Sequence, residues 1–291
     1  MSPTAAALDA GARVPVTRTT ALQRAIRYEW RHLTALRSTW ILLGAVAALS
    51  LLAGLTASIG LTPGAAPSTW SVVTAFQMDA ISMQLPFSAL LLLPLATGPV
   101  ATEFSRGTAR TTWLTLASRR TAFVAKLMVG GSLGALSALG GTALAALSAS
   151  TALALSGKAQ PAWAQTLPGV LGYTIFMTCW PVIAASVSAL VRSRIAATLL
   201  LVLWPLLGER LAGILLRLVP GLDALAGWLP FAAGRAAMAA SADTLPEADQ
   251  ALVEAFVGSN LSTGTGTAVF IGFTVVIAAL GAWSYIKKDA R

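Results

Sequence analysis

The sequence predicts an all-α, polytopic integral membrane protein with six transmembrane helices. Three observations predict it: six long apolar stretches, a charged fraction of only 11%, and arginine clusters at alternate gaps between the stretches. A helix needs about 20 apolar residues to cross a hydrocarbon core of ~30 Å, and each stretch is near or above that length. The stretches are continuous rather than alternating, which favours helices over barrel strands as the way to satisfy the backbone in lipid. Mean hydropathy is +0.74, whereas a soluble domain carries roughly 25% charged residues.

Residues 1–19 read as a cytoplasmic tail and 20–39 as an amphipathic helix. Leu22, Ile26, Trp30, Leu33 and Leu36 recur at helical spacing, with Arg24, Arg27 and Arg31 on the other side. An apolar face opposite arginines describes a helix lying in the membrane interface. The alternative is a basic flank that only sets topology. Residues 40–291 hold the six spans, at 40–61, 81–102, 123–155, 167–191, 195–216 and 268–286. The first starts too late for a cleaved signal peptide and reads as an uncleaved span.

The second span carries Pro86, Pro94 and Pro99. Each proline removes a backbone donor, so the resulting kinks serve either a gate or packing. In the third, Gly130 and Gly134 form a small-xxx-small pair suited to close helix approach. Cys179, the only cysteine, lies in the fourth and has no partner for an internal disulfide.

Near the outer end of the fifth span, Trp204-Pro205-Leu-Leu-Gly208 precedes Glu209 and Arg210. Charges in hydrocarbon are costly and mark functional sites by default. Adjacent residues do not share a helix face, so these two need not pair with each other. A break at Pro205 followed by a re-entrant segment would move both to a wetter place. They then serve either polar satisfaction or a gate or substrate contact. In the outer connection 217–266, Val219-Pro220-Gly221 and Leu229-Pro230 give turn signals for short re-entrant helices. Thr244-Leu-Pro246-Glu247 has a capping-box pattern that starts an outer helix ending near Val257.

Arginine outnumbers lysine sixteen to four. Basic residues crowd the segment before the first span, the connection after the second, Arg192 and Arg194 after the fourth, and the tail Lys287-Lys288-Asp289-Ala-Arg291. The opposite connections are poor in them. The positive-inside rule then places both termini in the cytoplasm. Net charge is +9, but the charge follows membrane boundaries, with no basic stripe interleaved with aromatics to imply nucleic acid. A composition rich in alanine and arginine points to a bacterial source and to its inner membrane.

The cytoplasmic connection 103–122 is long and polar. It contains Glu103, Arg106, Gly107, Thr108, Arg110, Arg119 and Arg120, with Trp113 and Leu116 as apolar anchors. From the residues alone it is either a docking feature for a soluble partner or a solvated loop with topogenic arginines. The chain has no GxxxxGK[ST] loop, no HExxH, no Gly-x-Ser-x-Gly elbow, and one histidine, His32. These absences argue against ATP hydrolysis on this chain, a histidine metal site and a serine elbow. Its carboxylates lie at opposite membrane sides and suggest no catalytic pair.

The order Glu103, Gly107-Thr108, Arg119-Arg120, Lys126 between the second and third spans, with the elbow-like first helix and the short basic tail, resembles the permease subunits of ABC transporters in the type 2 exporter class. The resemblance covers nearly the whole chain. It implies a coupling helix across Arg106–Arg120 that inserts into a separate ATPase subunit, with Glu103 and Arg110 helping to position it by charge pairs. It implies second and fifth spans that border the transport path, and a dimer with itself or with a paralogous permease. It also implies that ATP and Mg belong to the partner, with no cofactor on this chain. The alternative is a non-transporting membrane anchor or assembly protein that recruits a soluble partner.

Overall fold

The computed structural model describes residues 18–78, 81, 84–105 and 118–287, and within these no strand is present. The helices are α1 (Arg18–Ala35), α2 (Arg37–Thr56), α3 (Thr69–Phe76), α4 (Phe87–Ser105), α5 (Arg119–Leu155), α6 (Trp163–Val191), α7 (Arg194–Leu203), α8 (Glu209–Leu218), α9 (Asp223–Ala226), α10 (Pro230–Met238), α11 (Glu247–Val257) and α12 (Thr263–Lys287). Six helical stretches are long and apolar enough to cross a membrane: α2, α4, α5, α6, α7 joined to α8, and α12. The chain is a multi-pass membrane protein by that measure. α4, α5 and α6 bury more than half of their most apolar windows, whereas α2, α7–α8 and α12 bury less than a third of theirs.

α1 turns into α2 at Leu36, whose extended backbone interrupts the helix for one residue. Thr39 Oγ1 donates to the Leu33 carbonyl at 2.7 Å and Trp40 Nε1 to the Thr34 carbonyl at 2.8 Å, which satisfies the carbonyls left open by the turn. The buried stripe of α1 is Ala25, Glu29 and Leu33, flanked by Leu22 and Ile26. Trp30 and Leu36, expected on the same face, are exposed. The stripe is rotated because a buried lysine on α5 draws Glu29 inward.

α5 has 37 residues, about 55 Å at 1.5 Å per residue, so it extends well past a bilayer core. Its N-terminus is capped by Ser118, whose hydroxyl accepts from the Thr121 N–H. Against α6 it packs through glycine. A side chain on Gly134 would overlap the Met177 carbonyl, while Gly130 makes ordinary contact with Pro181. Pro181 has no N–H to give that carbonyl, four residues earlier in α6, so the missing Cβ of Gly134 admits an acceptor that proline has freed. α2 approaches α5 in the same way, with Gly54 against Ala145 and Ser148.

The fifth span does not break at Pro205. Trp204–Gly208 forms a π-turn, and the helix runs on from Arg194 to Leu218. The wider turn absorbs the donor and the space that proline removes. Gly208 leaves room for the Trp204 indole, since a Cβ there would lie 2.8 Å from Cε3. Pro86 precedes α4, and only Pro94 and Pro99 lie within it. α11 spans the stretch expected from the sequence, but its N-cap is Pro246 and Thr244 does not cap it. The Thr244 hydroxyl bonds to Ser241 instead, because a 3-10 turn at Ala242–Thr244 intervenes.

α10 is buried along its whole length from Phe231 to Met238. It lies between α6 and α12 and runs opposite to both. Its start, Phe231, meets Trp180 and Phe273, its middle meets Phe176 and Phe270 across Gly234, and its end meets Gly172. Gly172 and Gly266 let the Ala237 and Ala233 carbonyls approach closely.

Candidate functional site

Two buried charge clusters lie at opposite ends of the bundle. The first sits where α1, α4, α5 and α12 converge. Lys126 Nζ lies 2.6 Å from Glu29 Oε1 and 2.9 Å from Glu103 Oε1. Tyr285 donates its phenol to the other oxygen of Glu103 at 2.8 Å. All four side chains are buried. Two carboxylates hold one ammonium and one phenol, so the cluster carries a formal charge of −1. A buried ion cluster of this kind costs desolvation but punishes removal of any one partner, because the others are then left unpaired.

Aromatic rings close around this cluster. Tyr285 packs edge-on against Phe104 at 5.6 Å and tilted against Phe123 at 4.9 Å. Arg192, in a left-handed backbone conformation after α6, places its guanidinium 5.0 Å from the Phe104 ring centre. Arg119 donates to the Ile286 carbonyl near the end of α12 at 2.9 Å, and Arg120 is exposed. Glu103 thus belongs to a four-helix tie, two residues before the end of α4. Arg106, Gly107, Thr108, Arg110, Trp113 and Leu116 lie outside the described residues.

The second cluster joins α8, α10 and α11. Glu209 accepts from the backbone N–H of Phe231 at 2.9 Å and of Ala232 at 2.5 Å. Its carboxylate therefore caps α10 from another helix, where open N–H groups and the helix dipole favour negative charge. Arg235 lies 3.6 Å from Glu209, and its Nε donates to the Val257 carbonyl at 3.0 Å. That carbonyl is at the C-terminus of α11, where positive charge is favoured. The order is helix N-terminus, carboxylate, guanidinium, helix C-terminus, so the charges alternate along the cluster. Burial pushes the Arg235 guanidinium down to about 10; Glu209 opposes this shift and the like charge of Arg210 adds to it. It stays charged at neutral pH.

Glu209 and Arg210 do not pair. Glu209 points into the protein, and the exposed Arg210 places its guanidinium 5.9 Å from the Phe256 ring centre. Pro205 is buried in the π-turn, and Pro94 is exposed on α4. Among the described residues, no proline lines the cavity that Glu209 and Arg210 share. No protein-family model matches this chain, and no curated protein matches it.

The sequence reading missed the partners rather than the charges. Glu29 is the one acid among the arginines of α1, and Lys126 lies just inside the apolar run of α5. An acid in a basic helix and a lysine inside a span each require a counter-charge, and that is the signal that links them. Arg235 stands in a connection poor in basic residues, and the wholly apolar neighbours from Phe231 to Ala240 are the signal of its burial. Among the described residues no group of three or more metal-ligating side chains converges.

Proposed function

We propose that the chain is the membrane permease subunit of an ATP-driven type 2 ABC exporter in a bacterial inner membrane, with both termini in the cytoplasm. It would supply the translocation path, while a separate ATPase carries ATP and Mg. The observation that supports this reading best is the Glu29–Lys126–Glu103–Tyr285 cluster. It binds the first helix, the second span, the third span and the last span into one unit at the base of residues 106–117. A push on that connection would then be shared by four helices instead of bending one. In this reading α1 lies in the interface, with exposed Trp30 and Trp40 toward lipid. α10 is a re-entrant helix that returns from the depth of Trp180 toward the outside.

The experiment is purification from the native membrane, with measurement of ATPase recovery and ATP-dependent export. Glu103→Gln should keep membrane insertion and lower export per recovered complex. Recovery with no ATPase of the ABC class, by wild type at normal abundance, would favour the membrane-anchor reading.

A further inference from the structure

We propose that the cavity beside α8 binds a phosphate group, that of an anionic phospholipid in the leaflet at this end of the bundle. The inference rests on the helices being membrane spans and not on the exporter reading. The cavity measures ≈ 150 Å³ and lies between α8, the start of α10 and the end of α11. Arg210, Arg217 and Arg235 line it together with Glu209 and Gln84. The only carboxylate is already committed: its two oxygens take the Phe231 and Ala232 N–H groups, and it faces Arg235. Arg210 and Arg217 have no carboxylate within ion-pair distance among the described residues, so the lining carries two positive charges in excess.

Those two guanidinium groups are seven residues apart on one side of α8, and both are exposed at the mouth. Arg217 gives one hydrogen bond to the Gly258 carbonyl at 3.2 Å, and Arg210 leans on Phe256. Planar guanidinium forks match phosphate oxygens two at a time and are the preferred side chains for that group. The volume has room for a tetrahedral oxyanion. Beside the mouth, Leu211, Ile214, Leu215 and Leu218 are more than half exposed. Leu207 and Leu203, also exposed, continue this apolar strip from α8 toward the middle of the span, where acyl chains would lie with the phosphate at the arginines. An arginine that only reaches for an interface needs neither a cavity nor a shared mouth.

The test is native mass spectrometry of the full chain, purified in detergent after equilibration with equal phosphatidylglycerol and phosphatidylcholine. Wild type should retain phosphatidylglycerol in preference. R210Q/R217Q should retain about tenfold less, as expected for losing charge-assisted phosphate contacts. Arg194→Gln, at the other end of the same span, should retain as much as wild type. Added inorganic phosphate separates the sources. Displacement of the lipid shows a site for the phosphate group itself, and loss of lipid in R210Q/R217Q without displacement shows that the chains are needed. Equal retention by wild type and R210Q/R217Q, or no preference by wild type, overturns the proposal. Arg217→Gln alone keeps the test open if the double variant yields no folded protein: lowered retention supports the site, and unchanged retention overturns it.

Discussion

Lys126 links the two buried carboxylates at its end of the bundle. It pairs with Glu29 and Glu103 at 2.6 and 2.9 Å, and no other described cation lies within ion-pair distance of either. Lys126→Met would leave two carboxylates buried side by side, at a cost of about 3–5 kcal/mol for breaking a buried charge pair. Thermal unfolding in detergent should show a large loss of stability, and Glu29→Gln, which keeps a hydrogen-bond acceptor, should show a smaller one. Equal melting of Lys126→Met and wild type would mean the cluster is not holding the helices. Gly134 makes a similar residue-scale case. Leucine there must displace the Met177 carbonyl, whereas a side chain on Gly140 meets nothing within 4 Å. Gly134→Leu should lower the folded yield strongly and Gly140→Leu should not. A normally assembled Gly134→Leu protein with an altered substrate range would instead place this face on the path.

At the scale of elements, the spans were legible because hydrocarbon demands long apolar runs, and the runs at 123–155 and 195–216 lie within α5 and the fifth span. The interior of the fifth span was not legible as a π-turn. Pro205 signals a missing donor, but whether the helix breaks or widens depends on the room at Gly208 and on the anchor that Glu209 finds at α10. The capping-box pattern at Thr244 failed for a related reason. A 3-10 turn ending at Thr244 moved the helix start past it to Glu247. The partners of Glu29 and Glu209 were illegible because each is contributed by a distant element. Glu209→Ala should expose this dependence: it uncaps α10 and strands the buried Arg235, so proteolysis of 219–262 should rise while α2, α5 and α6 stay protected. Unchanged proteolysis would show that α10 is held by its packing between α6 and α12 alone.

For the whole molecule, the two charge clusters fall at opposite ends of the bundle, and the arginine distribution predicts which end faces the cytoplasm. Single cysteines in a Cys179→Ser background should be labelled from outside at Ser68 or Asp249, and not at Arg13, Thr112 or Arg291. Labelling of Thr112 in intact cells would reverse the topology. The central claim is that residues 103–120 carry force between this chain and an ATPase. Apolar anchors supply most of the energy at interfaces while charges steer, so Trp113→Ala should reduce ATPase recovery more than Arg106→Ala does. The most direct measurement is ATPase pull-down together with ATP-dependent export after scrambling 105–117, at matched levels of permease in the membrane. The account predicts that both are lost while insertion remains normal; a scrambled chain that recovers the ATPase and exports as well as wild type would contradict it.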